Sequence, residues 1–545
     1  MDAVRVAQKY IRKMLQCTEG MKTLLLDRET AKITTAVFTM EAILENEIYL
    51  TVSIENESVV SSSPEDLSFL SCIVFVRPTK ENISKLCLEL ASPQYGKYFL
   101  FFTTKISPMA IESLAQCDIL ERVVSVDEWY IDYHPVAPEL FSFRVPSFAA
   151  KEDPSYPRCL NGLFSLCLAS GKAPTVLHTL ASPRAGALAH EVATLANTNK
   201  HAFASDRSLL IIVDRNCDVL TPLATTWEYN AMLHEFLKMD GGGLEAAGET
   251  PVSFLDDALY RESLFLNFGE TGERIRGRLE ELKSEEERKN TPGKQNGSLI
   301  EQVGFYLEKR STSETVRKHL SLFTKLNSHV DENNIYSLFE IEQDILSGAV
   351  NKVEELEKRI DAVQRETEHG FAKEQLVPLF MLFGGKCLSK NTVDVAAFSL
   401  AMKKHGLSVG EISAVLGFGK NTLPKWRKSK ADVLSRSITK MGKGLFKKEA
   451  YVPHRAPFAD LIELVAAGRY RECGLGAIGT VDAPESYSSM FFFIVGGVTH
   501  AEGLAAHMHN RRSAANVVVG GTDILTKRKF VEAAFLESAA SSPTL

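Results

Sequence analysis

The chain has 545 residues, of which 45% are hydrophobic and 24% charged, and a formal net charge of −7 at pH 7. At roughly 150 residues per domain, that length corresponds to three or four domain-sized units, and such a chain buries its core without disulfide or metal staples. The acidic balance excludes a globally basic nucleic-acid binder and leaves only a local basic patch open.

The opening MDAVRVAQKYIRKML alternates basic and apolar residues at helical spacing, so it reads as an amphipathic helix rather than a signal peptide. Apolar, β-rich runs follow at 22–27 (KTLLLD), 48–53 (IYLTVS), 72–77 (CIVFVR), 97–102 (KYFLFF) and 123–126 (VVSV). Helical segments separate them. One covers 79–90 with Thr79 as its cap, and one covers 107–117 with Ser107 at the cap and Pro108 in the first turn. Continuous apolar strands alternating with helices predict a parallel sheet covered on both faces.

The alternation resumes after about residue 145. Helices are expected at 158–169 and 184–197, strands at 174–180 and 208–214, and a helix at 226–239 stopped by Gly241, Gly242 and Gly243. From there to about 465 the strand signal disappears and amphipathic helices dominate, as at 300–309 and 335–346. Residues 273–294 read as a solvated helix running into a loop at Pro292-Gly293. Near 490 the sheet vocabulary returns, with strands at 490–497 and 516–521 and helices at 501–509 and 524–535. One late strand pair makes no stable sheet alone. Residues 486–535 are therefore expected to complete the sheet begun near 174. The predicted fold is α/β plus α: two parallel-sheet α/β domains, with a large helical domain inserted in the second.

The apolar runs at 98–102 and 490–498 fall far short of the ~20 residues a spanning helix needs, so membrane association is expected to be indirect. The nine cysteines are scattered and form no CxxC, which points to a reducing compartment and away from a zinc ribbon. Gly406-Leu407-Ser408-Val409-Gly410 matches a nucleophile elbow, but that elbow works only between a strand and a helix, and the segment before it is helical. The runs at 416–422 and 384–386 lack the hydroxyl and leading glycine of a phosphate loop. His500, His507 and His509 have no carboxylate or cysteine at metal-ligand spacing. The Asp256-Asp257 pair sits in a polar segment with nothing to perturb it. Residues 401–430 have the look of a helix-turn-helix, with Trp426 among basic residues and a basic block through 425–448. A nucleic-acid-binding protein using 401–430 is the alternative reading, and a helical subdomain with a solvated basic face is the plainer one. An α/β enzyme without a recognisable catalytic set is a third.

One segment is more specific. In residues 210–237, LIIVDRNCDVLTPLATTWEYNAMLHEFL, a strand leads into Asp-Arg-x-x-Asp, then Thr-Pro-Leu, then Trp-x-Tyr-x-Ala-Met-x-His-Glu. This resembles the central signature of the SM (Sec/Munc) family of SNARE regulators, and within it the vacuolar protein sorting forty-five subclass. The segments 8–15, 21–30, 76–83, 128–143, 265–275, 494–503 and 517–530 resemble that subclass in the same order along the chain. The resemblance implies an arch of α/β domain 1 (1–143, syntaxin binding), discontinuous α/β domain 2 (144–240 and 466–545) and helical domain 3 (241–465) with a SNARE-binding hairpin. It implies no enzymatic activity and no cofactor or metal. The implied protein is a cytoplasmic monomer, recruited peripherally to endosome or Golgi membranes. It would bind a syntaxin-type SNARE, other SNAREs of the same complex and a Rab effector, and no nucleic acid. It would promote SNARE complex assembly in vesicle-mediated transport and membrane fusion.

The resemblance places Ile111, Leu114 and Glu128 at the pocket for a syntaxin N-terminal peptide, with Ile111 and Leu114 as core residues the plainer alternative. The SNARE hairpin is expected within 295–347, with Leu320, Phe323 and Leu326 as an apolar row continued by Val330. At Leu307, near the hairpin tip, many family members carry a hinge proline, and this chain departs from that pattern. Asp214, Arg215, Asp218 and Pro222 match the central signature as cleft or structural residues; Asp214 and Arg215 are expected to shape the interdomain cleft, with a purely structural role the plainer reading.

Overall fold

The computed structural model describes residues 2–55, 67–145, 153, 155–237, 257–289, 299–388, 393–418, 456–483, 487–513 and 515–540. The opening amphipathic segment forms α1 (Ala3–Leu15), capped by the Asp2 carboxylate, with Ala7, Ile11 and Met14 on its buried stripe. Then follow β1 (Lys22–Leu26), α2 (Arg28–Val37), α3 (Met40–Glu45), β2 (Ile48–Ser53), β3 (Ser71–Val76), α4 (Lys80–Ala91), β4 (Lys97–Phe102), α5 (Pro108–Cys117) and β5 (Val123–Glu128). The five strands are parallel, in the order β2-β1-β3-β4-β5. Continuous apolar runs fall at its centre because both faces of β3 and β4 are covered. Thr79 and Ser107 cap α4 and α5 as their side-chain chemistry predicts.

A second, seven-stranded sheet is built from β6 (His134–Ala137), β7 (Leu140–Ser142), β8 (Lys172–Thr179), β9 (Ala204–Asp214), β10 (Leu475–Ile478), β11 (Tyr487–Val495) and β12 (Asn516–Gly521). Its order is β10-β8-β9-β11-β12-β7-β6. Helices α6 (Tyr156–Ser170) and α7 (Pro183–Thr198) flank β8 in the chain. The late strand β11 inserts between β9 and β12, so residues far apart in sequence complete one sheet, as expected. Two corrections apply. The sheet begins at 134 rather than near 174, so the segment before 143 supplies strands to it. It is also mixed rather than parallel: β6 runs antiparallel to β7 and β10 antiparallel to β8. The hairpin at 134–142 escapes sequence reading because Pro135 and Pro138 interrupt it. On an edge strand a proline forfeits no needed ladder bond, and β6 is the edge. Phe141 of β7 pairs with Gly520 of β12, where a Cβ would collide with its ring.

Both sheets belong to one compact unit, made of Met1–Arg215, Leu461–Val498 and Ala505–Ile524. The other unit, Asn216–Asp460 with Thr499–Leu504 and Leu525–Leu545, is helical. Its described elements are α8 (Tyr229–Phe236), α9 (Ala258–Ser263), α10 (Phe268–Lys289), α11 (Leu299–Glu332), α12 (Ile335–Ser347), α13 (Val353–Glu366), α14 (Lys373–Cys387), α15 (Val395–Lys404) and α16 (Val409–Phe418). Across the unit boundaries run α17 (Phe458–Ala466) and α18 (His500–Asn510), and α19 (Lys527–Ala540) closes the chain. The helix expected from 226 starts at Tyr229. Residues before it are extended: the Tyr229 amide donates to the Leu266 carbonyl at 2.9 Å, and the Phe268 amide to that of Trp227 at 2.8 Å. The glycines at 241–243 and the loop at 290–294 lie outside the described residues.

Helices α15 and α16 form the first half of the helix-turn-helix pattern, turning at Gly406, whose φ is +84°. Phe398, Met402 and Val415 on these helices and Leu407 in the turn between them are buried, and Phe418 packs edge-on against Phe530. Trp426 and the basic block 425–448 lie outside the described residues. Ser408 is a helix cap and no nucleophile: its amide and hydroxyl both donate to Glu411, at 2.8 and 2.7 Å.

Candidate functional site

The expected peptide site lies at the β5 edge of the first sheet. Pro108 and the Ser107 cap start α5 there, and α5 buries one residue of its apolar set. That residue is Leu114, 3% exposed and part of the core with Leu86, Leu90, Tyr98 and Leu100. Ile111, one turn earlier, is 43% exposed, and Met109 is 79% exposed. The expected pair thus divides: Leu114 is a core residue, which corrects its assignment to an open pocket, while Ile111 faces outward.

Strand β5 carries the other wall. An irregularity in its pairing with β4 places Val123 opposite Tyr98 and Ser125 opposite Phe99, so Val124 is an extra residue. Beyond it Val126 pairs with Leu100 and Glu128 with Phe102. Leu100, Phe102 and Leu114 share one core cluster. Val126 and Glu128 therefore project to the side of the sheet that α5 covers. Val126 is 41% exposed, and Val124, Ile119 and Leu120 are also exposed. Glu128 is held in place: one carboxylate oxygen accepts from the Ile106 amide at 3.0 Å and the other from the Tyr130 hydroxyl. Burial, then the bond to Glu128, raises the Tyr130 phenol and keeps it a donor. What is left is a strip of two exposed apolar side chains, Ile111 and Val126, on the side of the sheet that carries the fixed carboxylate of Glu128. Met109, two residues before Ile111, lies on another face of α5. Sequence reading missed Val126, although the charged pair Asp127-Glu128 that follows it marks an edge strand.

The helical hairpin is α11 followed by α12, joined by a turn in which Asn334 has φ +54°. Helix α11 runs unbroken through Leu307, as a position without proline allows. The expected anchor row is mostly internal. Leu326 and Val330 are fully buried, and Phe323 stacks on Phe268 with centroids 4.2 Å apart. Only Leu320 among the four is exposed, at 42%. The row at this spacing is the stripe by which α11 packs on its own unit. One turn away His319 is enclosed, its two ring nitrogens 2.8 Å from the Tyr229 hydroxyl and 2.9 Å from Asp257 Oδ2. Asp257, expected as an unperturbed surface carboxylate, is buried. Burial pushes its pKa up, but bonding to His319, the Tyr260 amide and Lys318 outweighs that and holds it below the ordinary range.

The residues of the central signature are buried and make internal contacts. Asp214 ends β9 and is buried. Arg184 grips it with two bonds, Nε to Oδ2 at 2.7 Å and Nη2 to Oδ1 at 2.8 Å, and the Ser182 hydroxyl adds a third at 2.5 Å. Arg215 is buried beside Gly496, whose φ is +97° and where a Cβ would meet the Arg215 Cβ at 2.8 Å. Asp218 accepts the Thr221 hydroxyl at 2.6 Å and the amides of Leu220 and Thr221 at 3.2 Å, shaping the turn that contains buried Pro222. Segments that carried the resemblance meet one another. Asp27 Oδ2 receives the Arg77 amide and the Asn82 side chain at 2.7 and 2.8 Å. The Trp129 indole donates to the Tyr10 carbonyl at 2.9 Å. Glu342 of α12 receives the Lys527 ammonium at 2.5 Å and the Thr225 amide at 2.7 Å. Among the described residues there is no cluster of metal-ligating side chains, and no helix is long and apolar enough to cross a membrane.

Two α/β sheets joined in one chain to a helical unit make up the SM protein fold. The Sec1 family model matches residues 22–533, and the chain belongs to that family. It is 28% identical to vacuolar protein sorting-associated protein 45 of Dictyostelium discoideum over 569 positions, covering 98% of this chain and 96% of that one. Its fold is similar to the SM protein Vps45 solved in complex with the Qa SNARE Tlg2, at a TM-score of 0.81 and 24% identity over 100% of this chain and 99% of the other. It is also similar to Sly1p solved with an N-terminal peptide of Sed5p, at a TM-score of 0.77 and 18% identity over 99% and 100% of the two chains.

Proposed function

We propose that this protein is a SNARE regulator that binds a syntaxin-type SNARE and promotes SNARE complex assembly in vesicle transport at the endosome and trans-Golgi. The observation that carries the reading is the exposed pair Ile111 and Val126 at the edge strand of the first sheet, in a chain of the Sec1 family. An N-terminal syntaxin peptide is the proposed occupant of the strip, with apolar side chains against Ile111 and Val126 and a donor on Glu128. Family membership and the peptide bound to Sly1p support that choice. The mechanism is entropic. A floppy SNARE segment loses freedom when it zippers, and a scaffold that already holds one end lowers that ordering cost. The chain transforms no molecule in this reading. It works as a monomer, and a partner such as a Rab effector brings it to the membrane. Leu320 is the one member of the hairpin row left to meet a SNARE helix.

Titration calorimetry of the full chain with a syntaxin N-terminal peptide tests the reading. Ile111→Arg should weaken binding at least about tenfold, since it places an unpaired charge in an apolar contact. Leu320→Arg should leave this peptide's affinity unchanged. Equal affinity for wild type and Ile111→Arg removes the strip from the site.

A further inference from the structure

The amino ends of the first sheet's strands form a rim. Lys22, Ile48, Ser71 and Lys97 open β1, β2, β3 and β4 and stand in register with one another, and Val123 of β5 stands opposite Tyr98. Backbone bonds stitch together the segments that lead into these strands. The Lys22 amide donates to the Glu47 carbonyl at 2.9 Å, that of Ser71 to Met21 at 3.3 Å, that of Gly96 to Leu70 at 3.0 Å and that of Tyr98 to Arg122 at 2.9 Å. At Gly96 a Cβ would collide with the Ser68 carbonyl. The Asp118 carboxylate accepts from the amides of Arg122 and Val123 at 2.8 and 3.0 Å. The segments are therefore held as one shelf.

Large apolar side chains project from that shelf into solvent. In the sheet order β2-β1-β3-β4-β5 they are Leu44, Met21 and Phe69, then Ile119 with Leu120 just before β5. Their exposure runs from 49% at Leu44 to 75% at Ile119, and none belongs to the sheet's core cluster. Strands about 4.8 Å apart place about 19 Å between the first and the last of the row. A row of exposed apolar groups of this size marks an interaction surface. The exposed charges in the same segments are mainly acidic: Glu19, Glu45 and Glu121 against Lys97. Glu47 is engaged by Lys22. This rim is not the peptide strip, because Glu128 ends β5 at the opposite rim.

We propose that the amino rim of the first sheet is a docking surface for a basic amphipathic helix of a partner protein. A helix of about 13 residues covers about 19 Å. Its apolar anchors at i, i+3 or i+4, i+7 and i+11 meet the row, and Lys or Arg beside that stripe meets the glutamates. Charge decides among the occupants. A second copy docked about a two-fold axis presses the same glutamates against one another. An anionic membrane is repelled by them, in a chain whose net charge is −7. A cationic helix is attracted.

The probe is a fluorescein-labelled peptide of about 18 residues with leucine at that helical spacing and lysine elsewhere, titrated into the full chain and followed by anisotropy. Affinity should fall at least about tenfold in the double variant Phe69→Ser with Leu120→Ser. It should also fall in Glu19→Lys with Glu121→Lys, and as salt rises. The same peptide with glutamate in place of lysine should not bind. The substituted side chains are exposed, so thermal unfolding of both variants should match wild type. Equal affinity for wild type and either double variant, or for the two peptides, overturns the proposal. So does another occupant: co-sedimentation with phosphatidylserine vesicles, or a dimer in sedimentation velocity, that disappears in Phe69→Ser with Leu120→Ser. Ile111→Arg should leave the probe's affinity unchanged, so this outcome is separate from that of the syntaxin-peptide titration.

Discussion

Asp214→Ala offers the sharpest test that the Asp-Arg signature is architectural. The substitution removes a carboxylate that is 2% exposed and leaves Arg184, whose side chain is 13% exposed, without its two-pronged partner. Bonds to charged groups contribute about 1.5–3 kcal/mol each, but the two bonds from Arg184 and the one from Ser182 share one carboxylate and do not add. The better measure is the cost of stranding one ion of a buried pair, about 3–5 kcal/mol. Urea unfolding of the full chain, followed by hydrogen exchange at β9 and α7, should show a loss in that range. Arg184→Lys keeps the charge but not the fork and should lose about half as much. The double variant Arg184→Met with Asp214→Leu should recover much of the loss, because neither charge is then left alone. A loss below about 1 kcal/mol in Asp214→Ala, or a double variant no better than the single, refutes the reasoning.

The division within α5 predicts that Leu114→Ala costs about 2–5 kcal/mol, as cavity-forming truncations do, whereas Ile111→Ala changes stability by no more than about 0.5 kcal/mol; thermal unfolding of the pair checks this. The hairpin gives the same contrast: Leu326→Ala should cost about 2–5 kcal/mol, and Leu320→Ala should leave chemical denaturation unchanged. His500 makes acid stability pH-dependent. Burial lowers its pKa from 6.5 to about 4, so as pH falls the unfolded chain takes up the proton first. The stability of the neutral ring is complete above pH 6.5 and is lost progressively towards pH 4, by roughly 1.4 kcal/mol per unit or about 3 kcal/mol in all. Denaturation midpoints measured across that window should fall less steeply in His500→Gln, and identical slopes would count against the assignment.

What could be read from residues alone was what local chemistry dictates. Runs such as Leu24–Leu26 and Ile73–Val76 were legible as parallel strands because both faces are buried, and Thr79 and Ser107 were legible as caps because a hydroxyl there meets a free amide. The resemblance was legible because buried contacts preserve residue types: Asp27 with Asn82, Trp129 with Tyr10 and Lys527 with Thr225 join the segments that carried it. Three things had to wait for the folded chain. The hairpin at 134–142 is a strand pair only because β12 lies beside it. Asp257 is a buried ligand of His319, although the two are distant in sequence. In the apolar rows of α5 and α11, helical periodicity gives a face but not its neighbour. Leu114 and Leu326 proved to be core, while Ile111 and Leu320 point outward. Periodicity reports which side chains share a side; only packing decides whether that side meets the protein or the solvent.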